Sequence, residues 1–153
     1  MICVIQRVNR ASVIADGVPS GECEKGLYLL LGVLSGDTES DAVALAEKIS
    51  KLRIFTDENG KMNLSVNDIG GSALVVSNFT LGASYRKGNR PDYLNSAAPD
   101  VAEKLYEFFI SELSARVIGG VQSGVFGADM QTDMETDGPV TIVMDSAVLL
   151  KRT

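Results

Sequence analysis

Two stretches of this sequence constrain its folding more than any others. "LYLLLGVL" at residues 27–34 is apolar at nearly every position, and "ALVV" at 73–76 repeats that character over a shorter span. Short apolar runs without polar alternation read as strands buried inside a fold. Neither run approaches the roughly 20 apolar residues that a membrane-spanning helix requires. The remaining segments therefore have to supply the cover for a buried sheet.

Those segments carry recognisable local signals. Ile2 to Val8 alternates as a strand does, and Asp16-Gly17 stands between two short runs in the manner of a hairpin turn. "GDTESDAVALAEKISKLRIF" changes to helical spacing: Val43, Ala46 and Ile49 join Ala42, Leu45 and Leu52 on an apolar face. Thr38 with Asp41 three residues later has the form of a capping box. "RIFTDENGKMNLSV" reads as strand, turn and strand, reversing at Asn59-Gly60. A second helix is expected from about Pro99, with Val101, Leu105, Phe108 and Leu113 as its buried stripe. The remainder, from Val121, reads as two strands joined by an acidic turn that holds Asp129, Asp133, Glu135 and Asp137. Strand groups separated by two helices predict an α/β fold of the α+β type: a mainly antiparallel sheet or barrel-like core with two main helices packed on it. No repeat or linker interrupts the chain, and residues 1–153 are expected to form a single domain.

Histidine is absent. Ser-His-Asp and Cys-His catalysis, imidazole acid–base chemistry and His-ligated zinc are thereby excluded. Cys3 and Cys23 stand alone in strand-like settings, so two buried thiols are expected in place of a disulfide or metal site. No cofactor or metal is expected. The start of the sequence carries no basic segment followed by a long apolar one, which points to the cytoplasm and away from membranes. Fourteen basic residues against twenty acidic ones give a net charge of −6, which opposes broad contact with a nucleic-acid backbone but allows local contact with one RNA end.

Polar residues gather at two places. Ser77, Asn78 and Thr80 follow the apolar run at 73–76, with Phe79 between them. By strand alternation the Phe79 side chain would face away from those of Asn78 and Thr80. Such a group either closes a strand or floors a site. "DGPVTIV" at 137–143 sets Gly138-Pro139 before a strand, as a launching turn or as a backbone carbonyl held to accept a ligand's hydrogen bond. Arg86, Lys87 and Arg90 form the one compact basic group without an intervening acid, either a solvated loop or a phosphate contact. Met62 and Met130 read as core fillers.

"IQRVNRASV", "RIFTDENGKMNLSV", "GGSALVVSNFTL", "RKGNRPDY", "FGADMQ" and "TDGPVT" together resemble the D-aminoacyl-tRNA deacylase family, in order, from residue 2 to about residue 144. The resemblance implies a homodimeric editing enzyme. It would hydrolyse the ester between tRNA and a D-amino acid, or glycine mischarged on tRNA-Ala, with the tRNA 3′ end as its partner. The family's Ser-Gln-x-Thr motif falls on Ser77, Asn78, Phe79 and Thr80, with Asn78 in place of Gln. Gly138 and Pro139 match a pair that has a cis bond in the family and reaches into the other subunit's pocket. By the same resemblance Arg7 holds that pair, Met130 lines the site, and Asn78, Gly138 and Pro139 bind substrate. "RPDY" also departs from the commoner family ending after Arg-Pro.

An aminoacyl ester is already activated, so the protein must place the carbonyl, stabilise the oxyanion and admit water. The Phe79 N–H, with that of Thr80, is the expected oxyanion donor. Thr80 as a covalent nucleophile would need a base that folding brings near; the alternative is that the ribose 2′-hydroxyl positions water. A related deacylase with altered specificity, signalled by Asn78, and a non-catalytic dimer that binds small molecules or RNA remain the rival readings.

Overall fold

The computed structural model describes residues 1–152. Its elements are β1 (Ile2–Ala15), β2 (Val18–Cys23), β3 (Gly26–Gly32), α1 (Glu39–Ser50), β4 (Phe55–Thr56), β5 (Met62–Leu64), β6 (Ser72–Ser77), α2 (Pro99–Ser114), β7 (Val121–Ser123), β8 (Met130–Asp145) and α3 (Ser146–Leu149), with a 3-10 turn at Phe79–Gly82. The main sheet runs β2-β1-β3-β6-β7, and β8 adds to the other side of β1. Pairs involving β1 are antiparallel, whereas β3–β6 and β6–β7 are parallel, so the sheet is mixed.

The sheet curls until its ends nearly meet. Ser20 Oγ donates to the Ser123 carbonyl at 3.0 Å, and the Glu22 N–H donates to Gln122 Oε1 at 2.9 Å. A Cβ at Gly21 would lie 2.7 Å from the Ser123 carbonyl oxygen, so only glycine lets β2 approach β7 this closely. A barrel nearly closed in this way conceals most of the unpaired edge that an open sheet exposes.

The two apolar runs occupy the middle of this sheet. Leu27, Leu29 and Leu31 on β3 and Ala73, Leu74, Val75 and Val76 on β6 are buried. Helix α1 covers Leu27, Leu29, Leu31, Ala73 and Val75 with Ala42, Leu45, Ala46 and Ile49, and α2 with Leu105, Tyr106, Phe109 and Leu113, while Leu74 and Val76 pack with Val8, Ala11, Val13 and Tyr28 in a second cluster. For α2 this corrects the expected stripe. Val101 is exposed and Phe108 half-buried, because residues 102, 105, 106, 109 and 113 share one side at about 100° per residue. Both cysteines are buried and free. Among the described residues, no helix is long and apolar enough to cross a membrane.

The hairpin at Asp16-Gly17 forms, with φ 48° and 81°. The end of the chain differs from its expectation. A short β7 precedes one continuous β8 of 16 residues, and Asp133, Glu135 and Asp137 lie within that strand and not in a turn. Their charge is met across the ladder: Glu135 accepts from Asn9 Nδ2 at 2.9 Å, and Arg10 lies 3.5 Å from Asp133. Cross-strand cations let acids occupy a half-solvated strand that composition alone assigns to a loop.

Asp41 is the main polar anchor beneath the helices. Fully buried, it accepts from Ser146 Oγ at 2.7 Å, from the Thr38 N–H at 2.8 Å and from Arg152 at 2.9 and 3.0 Å. Burial pushes its carboxyl up, but these donors together outweigh that and hold it at about 2. The folded value lies below the unfolded one of about 3.9, so this stabilisation is complete above about pH 5 and disappears as the pH falls toward 2. Asp41→Asn should lower stability by about 2–4 kcal/mol at pH 7 and flatten the acid limb of stability between about pH 4 and 2; denaturant unfolding across that range measures both.

Candidate active site

The parallel ladder of β3 and β6 runs to the Leu31–Ser77 pair. One residue on, the Asn78 N–H donates to the Leu31 carbonyl at 2.8 Å, and the chain then tightens into the 3-10 turn. The alternation expected for Phe79 therefore stops before it, because the chain there is helical and not extended. Asn78 Oδ1 accepts from the Thr80 hydroxyl at 2.6 Å and from the Thr80 N–H at 3.2 Å. The Asn78 carbonyl accepts from the Leu81 N–H at 3.3 Å, and the Phe79 carbonyl accepts from Ser96 Oγ at 3.0 Å. The Phe79 N–H donates to no group among the described residues. Its ring is 56% exposed and lies 5.0 Å from the Tyr93 ring.

Ser77, Asn78 and Phe79 line a mainly apolar cavity of about 400 Å³ together with Tyr106, Phe126 and Met130. The Tyr106 and Phe126 rings sit 5.7 Å apart at 48°. The Tyr106 hydroxyl donates to the Val75 carbonyl at 3.1 Å, and burial pushes it up to about 12, so it remains a neutral donor at ordinary pH. Met62 is exposed and so is not the core filler that composition suggests, whereas Met130 packs against the Val8, Val13, Leu74 and Val76 cluster and also borders the cavity. Sequence reasoning also passed over Tyr106, because an aromatic residue at helical spacing looks the same whether it fills a core or walls a cavity.

Arg7, Gly138 and Pro139 gather elsewhere. In the β1–β8 ladder Gln6 faces Thr141 and Val8 faces Thr136, so Arg7 alone stands opposite residues 137–140. This wide bulge carries the exposed Gly138-Pro139 pair, whose peptide bond is cis. Gly138 has φ 127°, a conformation that side chains other than glycine's rarely accept. Buried Arg7 clasps the bulge from below: Nε donates to the Asp137 carbonyl at 3.2 Å and pairs with its carboxylate at 3.1 Å, while Nη1 donates to the Ile54 carbonyl at 2.7 Å. None of these three residues lines the 400 Å³ cavity of its own chain.

Arg86, Lys87 and Arg90 are exposed on the loop after the 3-10 turn, which Ser84 and Asp92 close with paired backbone bonds of 2.8 and 2.9 Å. Arg86 borders a shallow depression there with Tyr85, Asp92 and Leu94. Among the described residues, no cluster of three or more Cys, Asp or Glu side chains is arranged to hold a metal ion.

A nearly closed mixed barrel with helical cover and an apolar cavity at one strand end define the chain as a small α+β protein with a single barrel-like core. The family model described as D-Tyr-tRNA(Tyr) deacylase matches residues 4–145, and the chain belongs to that family. It is 54% identical over 149 residues to a D-aminoacyl-tRNA deacylase of Persephonella marina, covering 97% of this chain and 100% of that protein. A D-aminoacyl-tRNA deacylase of Akkermansia muciniphila is 53% identical over 146 residues, with 95% and 97% covered. Among solved structures, a c-Myc DNA unwinding element binding protein superposes with a TM-score of 0.88 at 38% identity, over 95% of this chain and 98% of that one. A probable eukaryotic D-amino acid tRNA deacylase shares the fold, with a TM-score of 0.81 at 18% identity over 94% and 98% of the chains.

The clasp beneath the bulge is open to test. Arg7→Lys keeps the charge but loses the planar fork that spans Asp137 and Ile54. It should destabilise the fold by about 1–3 kcal/mol and speed amide exchange of Asp137, Gly138 and Val140, measured by denaturant unfolding and hydrogen exchange.

Proposed function

We propose that this protein is a D-aminoacyl-tRNA deacylase that hydrolyses the ester between a D-amino acid, or glycine, and the 3′ end of tRNA. The supporting observation is an apolar cavity bordered by Ser77, Asn78 and Phe79, with an uncommitted Phe79 N–H, in a chain of this family. The cytoplasm is its place of action, and the reaction uses no cofactor or metal.

The chemistry follows from main-chain groups. The Phe79 N–H takes the ester carbonyl oxygen and stabilises the oxyanion, a role worth on the order of 2.7–4 kcal/mol for one such donor in a well-studied hydrolase. The Thr80 N–H, already held by Asn78, is not free to join it. Water attacks the carbonyl carbon, and the 2′-hydroxyl of the terminal ribose positions it. The flat apolar walls formed by Tyr106 and Phe126 suit the terminal base, and Met130 adapts to its edge.

Handedness is read by a second copy of the chain. Gly138 and Pro139 of one subunit reach the partner's cavity and hold the substrate ammonium on their carbonyls, leaving one direction open at the alpha carbon. An L side chain then meets the wall, while glycine fits. This reading is supported by the exposure of the bulge, by its clasp on Arg7, and by one unpaired edge of β8 beside Val143, which is 68% exposed. Arg86, Lys87 and Arg90 then contact phosphates of the tRNA end. Extended contact with duplex nucleic acid is opposed by the net charge of −6.

The deciding assay compares D- and L-aminoacyl-tRNA carrying the same amino acid, with and without EDTA. Release from the D-substrate alone, unaffected by chelation, is expected; release from neither would favour a binding module, and release from a mischarged L-substrate would favour an enzyme of altered specificity. A trapped acyl-protein lost in Thr80→Ala would replace water attack with covalent catalysis. Reversing Arg86, Lys87 and Arg90 to Glu should weaken tRNA binding and shrink the slope of log K against log salt by about 0.7–0.9 per lost contact, as read by filter binding over a salt series.

A further inference from the structure

We infer that Asn78 is a positioning residue, whose side-chain carbonyl orients Thr80 and thereby leaves Phe79 to supply the free main-chain donor. This inference rests on the deacylase reading above. A threonine hydroxyl owns one proton, and in this chain that proton is directed at Asn78 Oδ1 over 2.6 Å. Toward the substrate the Thr80 oxygen is left with lone pairs only. It accepts from the attacking water or the 2′-hydroxyl and donates to neither. A neutral amide oxygen is too weak a base to take the proton away, so the same bond opposes Thr80 as a nucleophile.

The arrangement also sets the direction of the Phe79 N–H. That N–H shares a rigid peptide plane with the Asn78 carbonyl, which the Leu81 N–H holds at 3.3 Å. The next plane carries the Phe79 carbonyl, held by Ser96 Oγ at 3.0 Å, and the Thr80 N–H, held by Asn78 Oδ1 at 3.2 Å. Two consecutive planes are therefore fixed, and of their two N–H groups that of Phe79 is left over. Closing a ring from side-chain oxygen to the N–H two residues on is what an asparagine stem reaches without strain. One more methylene, as in glutamine, displaces the oxygen from that position.

Two variants separate this role from direct substrate binding. Asn78→Asp keeps an acceptor but loses the amide NH2, and Asn78→Ala loses both. The Ala variant should lower kcat on D-aminoacyl-tRNA by about tenfold with KM within about twofold, and speed exchange of the Thr80 amide. The Asp variant should keep kcat within about threefold and keep that amide protected. Equal damage in both, or a change confined to KM, would mean that the NH2 grips substrate and would overturn the inference; so would unchanged Thr80 exchange in the Ala variant. A wild type that turns over no D-aminoacyl-tRNA would sink the deacylase reading, and the exchange measurement would still decide the role of Asn78. Should Asn78→Ala not fold, Thr80→Ser against Thr80→Val reads the same bond: kcat lost only in Val supports it, and equal kcat overturns it.

Discussion

The hydrogen bond from the Asn78 N–H to the Leu31 carbonyl, 2.8 Å long, is where the buried sheet gives way to the site. Up to that point β3 and β6 are held by a regular parallel ladder between packed leucines and valines. Past it the chain tightens into a 3-10 turn at the border of an apolar cavity. A rigid scaffold directly beneath a short irregular segment is what lets main-chain groups act with fixed direction. If the ladder slipped, the cavity and its donors would lose their mutual placement together.

This explains how a chain without histidine can belong to a family whose members are named as deacylases. The groups at hand are peptide N–H and C=O groups, hydroxyls, one buried tyrosine held neutral and one asparagine amide. Preorganised dipoles of this kind need no proton transfer to function, and their worth rises where water is excluded. The polar side chains at the turn bond to the turn itself: Asn78 to Thr80, and Ser96 to the Phe79 carbonyl. They arrange the backbone and leave the Phe79 N–H without a partner among the described residues.

A second backbone feature lies on β8, where four residues bulge opposite Arg7. A planar guanidinium spans the Asp137 and Ile54 carbonyls beneath it, so the exposed Gly138-Pro139 pair stands on a buried, charged support. Arg7 is separated in sequence from both of its acceptors by long stretches of chain; the antiparallel β1–β8 pairing brings Asp137 to it, and the segment after α1 brings Ile54. The proposed two-subunit site joins this support to the turn after β6.

Local features were legible in the residues because they depend on short-range chemistry. The apolar runs became β3 and β6, Asp16-Gly17 became a turn, and Thr38 with Asp41 opens a helix. Each follows from periodicity, chain stiffness or a hydrogen bond within a few residues. What the residues left open was long-range. The acidic segment lies in a strand because Arg10 and Asn9 face it, and Phe109 is buried in preference to Phe108 because it shares the core-facing side of α2 with Leu105, Tyr106 and Leu113. By itself the sequence determined the central strands, the first helix, the lack of an imidazole and the family; only the tertiary structure decided that Phe79 keeps its N–H free while Thr80 does not. That last distinction turns on the orientation of two peptide planes: bonds from Asn78 and Leu81 within the turn hold them locally, and Ser96, 17 residues along the chain, fixes the second from outside.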